Sequence, residues 1–206
     1  MEKPPTYHES PLTVVVFGNS ASVQSEPKNI LLGEEKPIKI SETSRIVPSE
    51  KEIEHHISVI NMIDLHETSL NLPSADHKIG QLVNKIEINA FIFVVRLGQL
   101  TDADKMGLRW LQRVFGDKVL QSVMILFTYE REQECATLND DMKKNSVLEQ
   151  LLEKCGGRYH TCNKSMKDLS EMKQLITKIK LMFTKNQQQC YTGERQYIRK
   201  SENESG

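Results

Sequence analysis

The chain has 206 residues, 38% hydrophobic and 27% charged, with a formal net charge of -1. That is room for one sizeable α/β domain with at most a tail. The charge balance gives no reason to expect nucleic acid as a partner, and no run reaches the roughly 18–20 apolar residues of a membrane span, so no direct membrane insertion is expected.

Met1-Glu2-Lys3-Pro4-Pro5 has no apolar stretch behind it, so a secretory leader is not expected. Four cysteines without paired spacing, Cys135, Cys155, Cys162 and Cys190, suit a reducing, cytoplasmic setting. Cys155, His160 and Cys162 offer three metal-binding types but no second cysteine pair, so buried thiols are expected there rather than zinc.

Residues 12–17 form a β-branched run that stops at the turn signal Gly18-Asn19-Ser20. Its few polar breaks suit a strand buried on both faces of a parallel sheet. Residues 34–56, with Pro37 and Pro48, read as loop, and Ile57-Ser58-Val59-Ile60 as the next short strand. After a polar stretch holding Pro73, Ile79, Leu82, Val83 and Ile86 recur at helical steps. Residues 89–95 are the strongest buried strand. Thr101 with Asp102 and Asp104 is a helix start, Leu108, Leu111, Val114 and Phe115 are that helix's apolar face, and Gly116 ends it. Trp110, spaced with Val114, belongs to core or interface. Residues 123–127 are another strand. Val147, Leu148, Leu151 and Leu152 face one way on a helix that stops at Gly156-Gly157. A last amphipathic helix covers 168–183, and beyond Lys185 the chain is polar and expected to be loose.

Alternating strands and helices predict a three-layer α/β fold, a mainly parallel sheet with helices on both faces. Ligands in such folds bind at the carboxyl ends of the strands. The loops at 18–25, 61–66, 128–132 and 161–164 are therefore expected to share one rim.

A phosphate-binding loop reads G-x-x-x-x-G-K-[S/T]: glycines admit the phosphates to backbone N–H groups, lysine neutralises charge, and the hydroxyl holds Mg²⁺. Gly18-Asn19-Ser20-Ala21-Ser22-Val23-Gln24-Ser25 stands in that position, after a strand and before an expected helix. Gly18 and Ser25 fit. Val23 replaces the second glycine and Gln24 the lysine. A plain strand-to-helix turn with capping serines is the other reading of these residues.

Taken together, the segments resemble the immunity-associated GTPases, the GIMAP proteins with their AIG-type G domain. That family's loop runs like G-x-x-G-x-G-K-S-x-x-x-N-x-I-L-G, and Gly18, Ser25, Asn29, Ile30, Leu31, Leu32 and Gly33 keep its frame. Its V-I-D-T-P-G-L-F-D-T segment appears as residues 59–68, and its middle segment as Ala90 to Thr101, continuing to Thr128. The resemblance covers roughly residues 11–192, as a P-loop-type G domain at 11–184, an N-terminal tail at 1–10 and a polar extension at 185–206. It implies GTP or GDP as ligand and Mg²⁺ held by Ser25. It also implies self-association, or pairing with related G domains, through the switch side. Asn163 matches the family's base-contacting asparagine, and Tyr129 is placed to stack on a base or to be a plain exposed tyrosine; Arg131 falls near the position of the family's acid, with Glu130 and Glu132 flanking it as substitutes or as surface charge.

The departures weaken the phosphate end. Gln24 carries no charge, Asn61 stands where an acid holds the magnesium's waters, and Asp64 stands where a glycine N–H meets the γ-phosphate. A carboxylate beside a triphosphate repels it by up to a few kcal/mol at ~4 Å for each charge pair. Lys28 is one turn beyond Gln24, and a solvated lysine is the expected reading. Thr43 is the one threonine in the first-switch loop. A G domain with a degraded nucleotide site, acting by interaction with little or no hydrolysis, is the expectation. The alternative is a GTP-binding protein with slow or partner-assisted turnover.

Overall fold

The computed structural model describes residues 12–24, 28–33, 36–39, 51–53, 57–65, 86–191 and 196–198. The helix expected around Ile79–Ile86, Thr43, His55, His56 and His66 lie outside these, except for Ile86 itself.

The first strand, β1 (Leu12–Gly18), pairs in parallel with β4 (Ile57–Asp64) on one side and β5 (Ala90–Arg96) on the other. The sheet extends through β6 (Val123–Tyr129) to β7 (Tyr159–Asn163), and at the opposite side to β2 (Ile38–Lys39). Strand order is β2-β4-β1-β5-β6-β7, every neighbour parallel; β3 (Lys51–Ile53) runs antiparallel along the first half of β4. The expected parallel sheet is therefore present. The segment read as loop from 34 to 56 contributes two short strands. Neither has room for the alternation that announces a strand.

Both faces of the sheet are covered, and the period of two shows why. Val14, Val16, Ala90, Ile92, Val94, Met124 and Leu126 face one core. Val15, Phe17, Phe91, Phe93, Val95, Val123, Ile125 and Phe127 face the other. On the second face lie α1 (Asp102–Phe115) and, beyond the short α2 (Glu132–Ala136), α3 (Leu138–Lys144) and α4 (Ser146–Lys154). On the first lies α5 (Leu169–Lys185), with Met172, Leu175, Ile176, Ile179, Met182 and Phe183 buried.

α1 begins and ends as its residues dictate. Thr101 and Asp104 form a reciprocal capping box, and the Gly116 N–H returns to the Gln112 carbonyl at 2.7 Å. Trp110 is buried in the core. The Cys155 and Cys162 thiols fall in the two separate cores, one on each side of the sheet, and burial pushes both thiols up.

The loose extension expected from residue 185 does not start there. After α5, Cys190 and Tyr191 in β8 (Gln189–Tyr191) are fully buried, and Tyr191 bridges Ile88 through N–H···O bonds of 2.7 and 2.8 Å. β8 pairs antiparallel with β9 (Gln196–Ile198). An unbroken polar run, Thr184 to Gln189, hid the one cysteine and one tyrosine that follow it and whose apolar area is buried.

Candidate functional site

Because the central strands run parallel, the ends of β1, β4, β5, β6 and β7 share one rim, as expected. At its centre Gly18 has φ +149°, and a β-carbon there would stand 2.5 Å from the Val94 carbonyl oxygen. Only glycine lets β1 leave the sheet between its two neighbours. The Leu65 N–H donates to the Gly18 carbonyl at 2.9 Å, holding the end of β4 against it.

The loop that follows is closed on itself and on its surroundings. Asn19 accepts twice: its side chain from the Ala21 N–H (3.0 Å), its carbonyl from the Ser22 N–H (2.9 Å). Residues Ser20–Ser22 make one 3₁₀ turn, and the Val23 N–H closes it on the Ser20 carbonyl. The Ser20 N–H donates to the Asp64 carboxylate at 3.1 Å, and the Gln24 N–H to the Lys164 carbonyl at 3.1 Å. Thus all five amides from Ser20 to Gln24 donate within the chain. Two carbonyls are pinned as well: Thr128 Oγ1 donates to Ser22 (2.6 Å), and Asn29 Nδ2 to Gln24 (2.7 Å).

Ser22 and Val23 are buried, and Val23 belongs to the core under α5. A valine in the second-glycine position therefore does more than block an approach, because it anchors the loop by its apolar side chain. Val23 is extended rather than helical. Lys28–Gly33 form turns, in which the buried Asn29 side chain accepts from the Leu31 and Leu32 N–H groups, both at 3.0 Å. The helix expected behind the loop is absent from these described residues. Asn29 caps the turns and Leu31 and Leu32 fill the core directly. Lys28 is exposed. Ser25, the candidate magnesium ligand, and the side chain of Asn61 lie outside the described residues. Among the described residues no three His, Cys, Asp or Glu side chains gather as a metal site.

At the base end, Tyr129 and Asn163 stand opposite each other in the β6–β7 register, and the Lys164 N–H donates to the Tyr129 carbonyl at 2.8 Å. The Asn163 carboxamide oxygen accepts from the Ser165 N–H and hydroxyl, both at 2.9 Å. Burial, and then the charge of Glu171, hold the Tyr129 phenol up at about 12. Glu130 lies between Lys164 (3.3 Å) and the buried guanidinium of Arg96 (3.6 Å). Glu134 takes Arg96 with both oxygens, at 2.8 and 3.3 Å. Arg131 and Glu132 are exposed. Gly18, Asn19, Ser20, Ala21, Ser22, Val23, Gln24, Tyr129 and Asn163 all lie at this end of the sheet. Arg96, Glu134, Thr128 and Lys164 organise it without having been anticipated. An arginine ending an apolar strand was the available sign for the first of them, since such a charge needs a partner.

At the phosphate end the amides of Ser20 to Gln24 donate within the chain, residue 24 is a glutamine, and the Asp64 carboxylate, 5% exposed, takes the Ser20 N–H.

Residues 12–205 match the family model described as AIG1. The chain belongs to the AIG1 family. It is 24% identical over 191 residues to human GTPase IMAP family member 8, covering 86% of this chain and 28% of that protein. It is 24% identical to Immune-associated nucleotide-binding protein 1 of Arabidopsis thaliana, over 88% of this chain and 87% of that one. The AIG1 chain thus spans about a quarter of one relative and most of the other. Toc33 from Arabidopsis thaliana, solved with Mg²⁺ and GMPPNP, shares the fold at a TM-score of 0.62 and 17% identity, over 88% of this chain and 87% of Toc33. A second Toc33 structure, at a TM-score of 0.60 and 18% identity over 86% of each chain, is of a dimerization-deficient mutant. The AIG1 membership and the shared fold establish a P-loop-type G domain of the immunity-associated GTPase family.

Proposed function

We propose that this chain is an AIG1-type G domain whose phosphate end no longer takes a triphosphate with magnesium, and that it acts as an interaction module with little or no GTP hydrolysis. One observation carries the reading: the amides of Ser20 through Gln24 all donate within the chain. A phosphate site needs such amides free and aimed at the anion. Gln24 in the lysine position and the buried Asp64 add the electrostatic half. The relatives' names speak of GTPases and nucleotide binding, and this is the pattern from which these residues depart. The base end supports residual, weak guanine-nucleotide affinity, because Tyr129 and Asn163 stay together at the rim.

Self-association through the switch side is the proposed mode of action. The Toc33 likeness supports it, since one of those structures is defined by deficient dimerization. Four free cysteines support a reducing, cytoplasmic setting.

The test is titration with a fluorescent GTP analogue, with and without Mg²⁺. Binding is expected to be absent or weaker than micromolar, and indifferent to Mg²⁺. Submicromolar, Mg²⁺-dependent binding overturns the reading and establishes a GTP-binding protein with slow or partner-assisted turnover.

A further inference from the structure

We propose that Asp64 is an internal latch: its carboxylate takes the Ser20 amide in place of a ligand's anion and holds the loop at 19–24 shut. The inference rests on the reading of a closed phosphate end and names the residue that closes it. Asp64 ends β4, level with Gly18 of β1 and Lys39 of β2, so the sheet itself delivers its side chain to the loop. A carboxylate buried to this degree needs donors, and amide-to-carboxylate bonds are among the stronger hydrogen bonds in proteins. The Ser20 N–H supplies one at 3.1 Å.

The loop's other ties differ in kind. Thr128 and Asn29 hold carbonyls, which an anionic ligand would not seek. The Gln24 amide goes to a neutral carbonyl, that of Lys164. Asp64 alone brings a negative charge, and it brings it to the Ser20 N–H at the start of the 3₁₀ turn. An incoming phosphate meets it twice, as a tethered competitor for the same N–H and as a like charge. Of the loop's ties, the Asp64 contact is the one in which an anion already holds the N–H, and so the one that a phosphate must displace first. Removing the carboxylate therefore frees the Ser20 N–H at the loop's leading edge.

Inorganic pyrophosphate is the probe, titrated into the wild type, Asp64→Ala and Asp64→Asn while the backbone amide resonances of residues 18–24 are followed. The wild type is expected to show no response at Ser20. Asp64→Ala should bind roughly tenfold tighter or more, with shifts centred on Ser20 and Ala21. Asp64→Asn keeps an acceptor for Ser20 without the charge; it covers the case in which the alanine variant does not fold, and should fall between the two. Amide hydrogen exchange at Ser20 gives a second readout, expected to be about tenfold faster in Asp64→Ala than in the wild type. Folded variants that bind pyrophosphate no better than the wild type overturn the latch, as does unchanged exchange at Ser20. If the wild type binds GTP tightly with Mg²⁺, the closed-site reading fails and the latch with it. If wild type and variants are all silent, the latch alone fails.

Discussion

Arg96 ends the most buried strand with its guanidinium 7% exposed, and Glu134 meets it with both oxygens while Glu130 stands at 3.6 Å. Removing Glu134 leaves a buried cation with only the Thr128 carbonyl at 3.4 Å and Glu130 at 3.6 Å beside it among the described residues. Glu134→Ala should destabilise by about 1–3 kcal/mol in urea unfolding, because an unpaired buried charge costs more than the pair contributed. A change within about 0.5 kcal/mol would mean that water or Glu130 already satisfies Arg96. His160 poses the opposite problem. Burial, and then the charge of Lys178, push its imidazole down to about 4, so it is neutral in the fold. In the unfolded chain it titrates near 6.5 and gains its proton first as pH falls. The native state therefore loses stability from about pH 6.5 down to about pH 4, some 2 kcal/mol of it by about pH 5. The wild type should lose that much more than His160→Gln between neutral pH and pH 5 in equilibrium unfolding. Parallel curves would show that His160 does not titrate as its burial dictates.

At the scale of elements, the site hangs on the exit of β1. Gly18→Ala puts a carbon 2.5 Å from a backbone oxygen of Val94, at φ +149°, where side chains are strained. With no flexible neighbour to yield, a loss of roughly 3 kcal/mol or more is expected, measured by thermal or urea denaturation. A variant that keeps wild-type stability would show that β1 and β5 separate at that point. Much of this architecture was legible in the residues. The runs at 12–17, 89–95 and 123–127 are apolar at both periods of two and so announce burial on both faces, and Thr101 and Gly116 mark the ends of α1. β7 was not legible, because Tyr159-His160-Thr161-Cys162-Asn163 hides only His160 and Cys162, two residues that composition does not class as core. The loop was legible in place but not in state. That Asp64 reaches Ser20, 44 positions away, depends on β1 and β4 lying side by side, and Val23 is buried by a core to which residues far along the chain contribute.

For the whole molecule, closure comes from the end of the chain. Tyr191 is fully buried beside Phe91, and its hydroxyl joins Ser122 and the Lys118 carbonyl at 3.1 and 3.0 Å. Its backbone clamps Ile88, just ahead of β5. One residue thus ties β8 to the entrance of the central sheet and to the 3₁₀ helix Asp117–Ser122 that precedes β6. Tyr191→Phe keeps the ring and drops the hydroxyl, which should cost about 0.5–1.5 kcal/mol. Tyr191→Ala empties the site and should cost about 3–5 kcal/mol, a large part of a domain's total stability. Truncation after Lys185 removes Cys190 as well and should cost at least as much as Tyr191→Ala. The comparison is made by urea unfolding of all three variants against the wild type. If the truncated chain unfolds at the wild-type midpoint, the domain closes at α5 and residues 189–191 merely rest on it. If the order is hydroxyl loss, then ring loss, then truncation, the nucleotide-like rim stands on a core that the polar end of the chain completes.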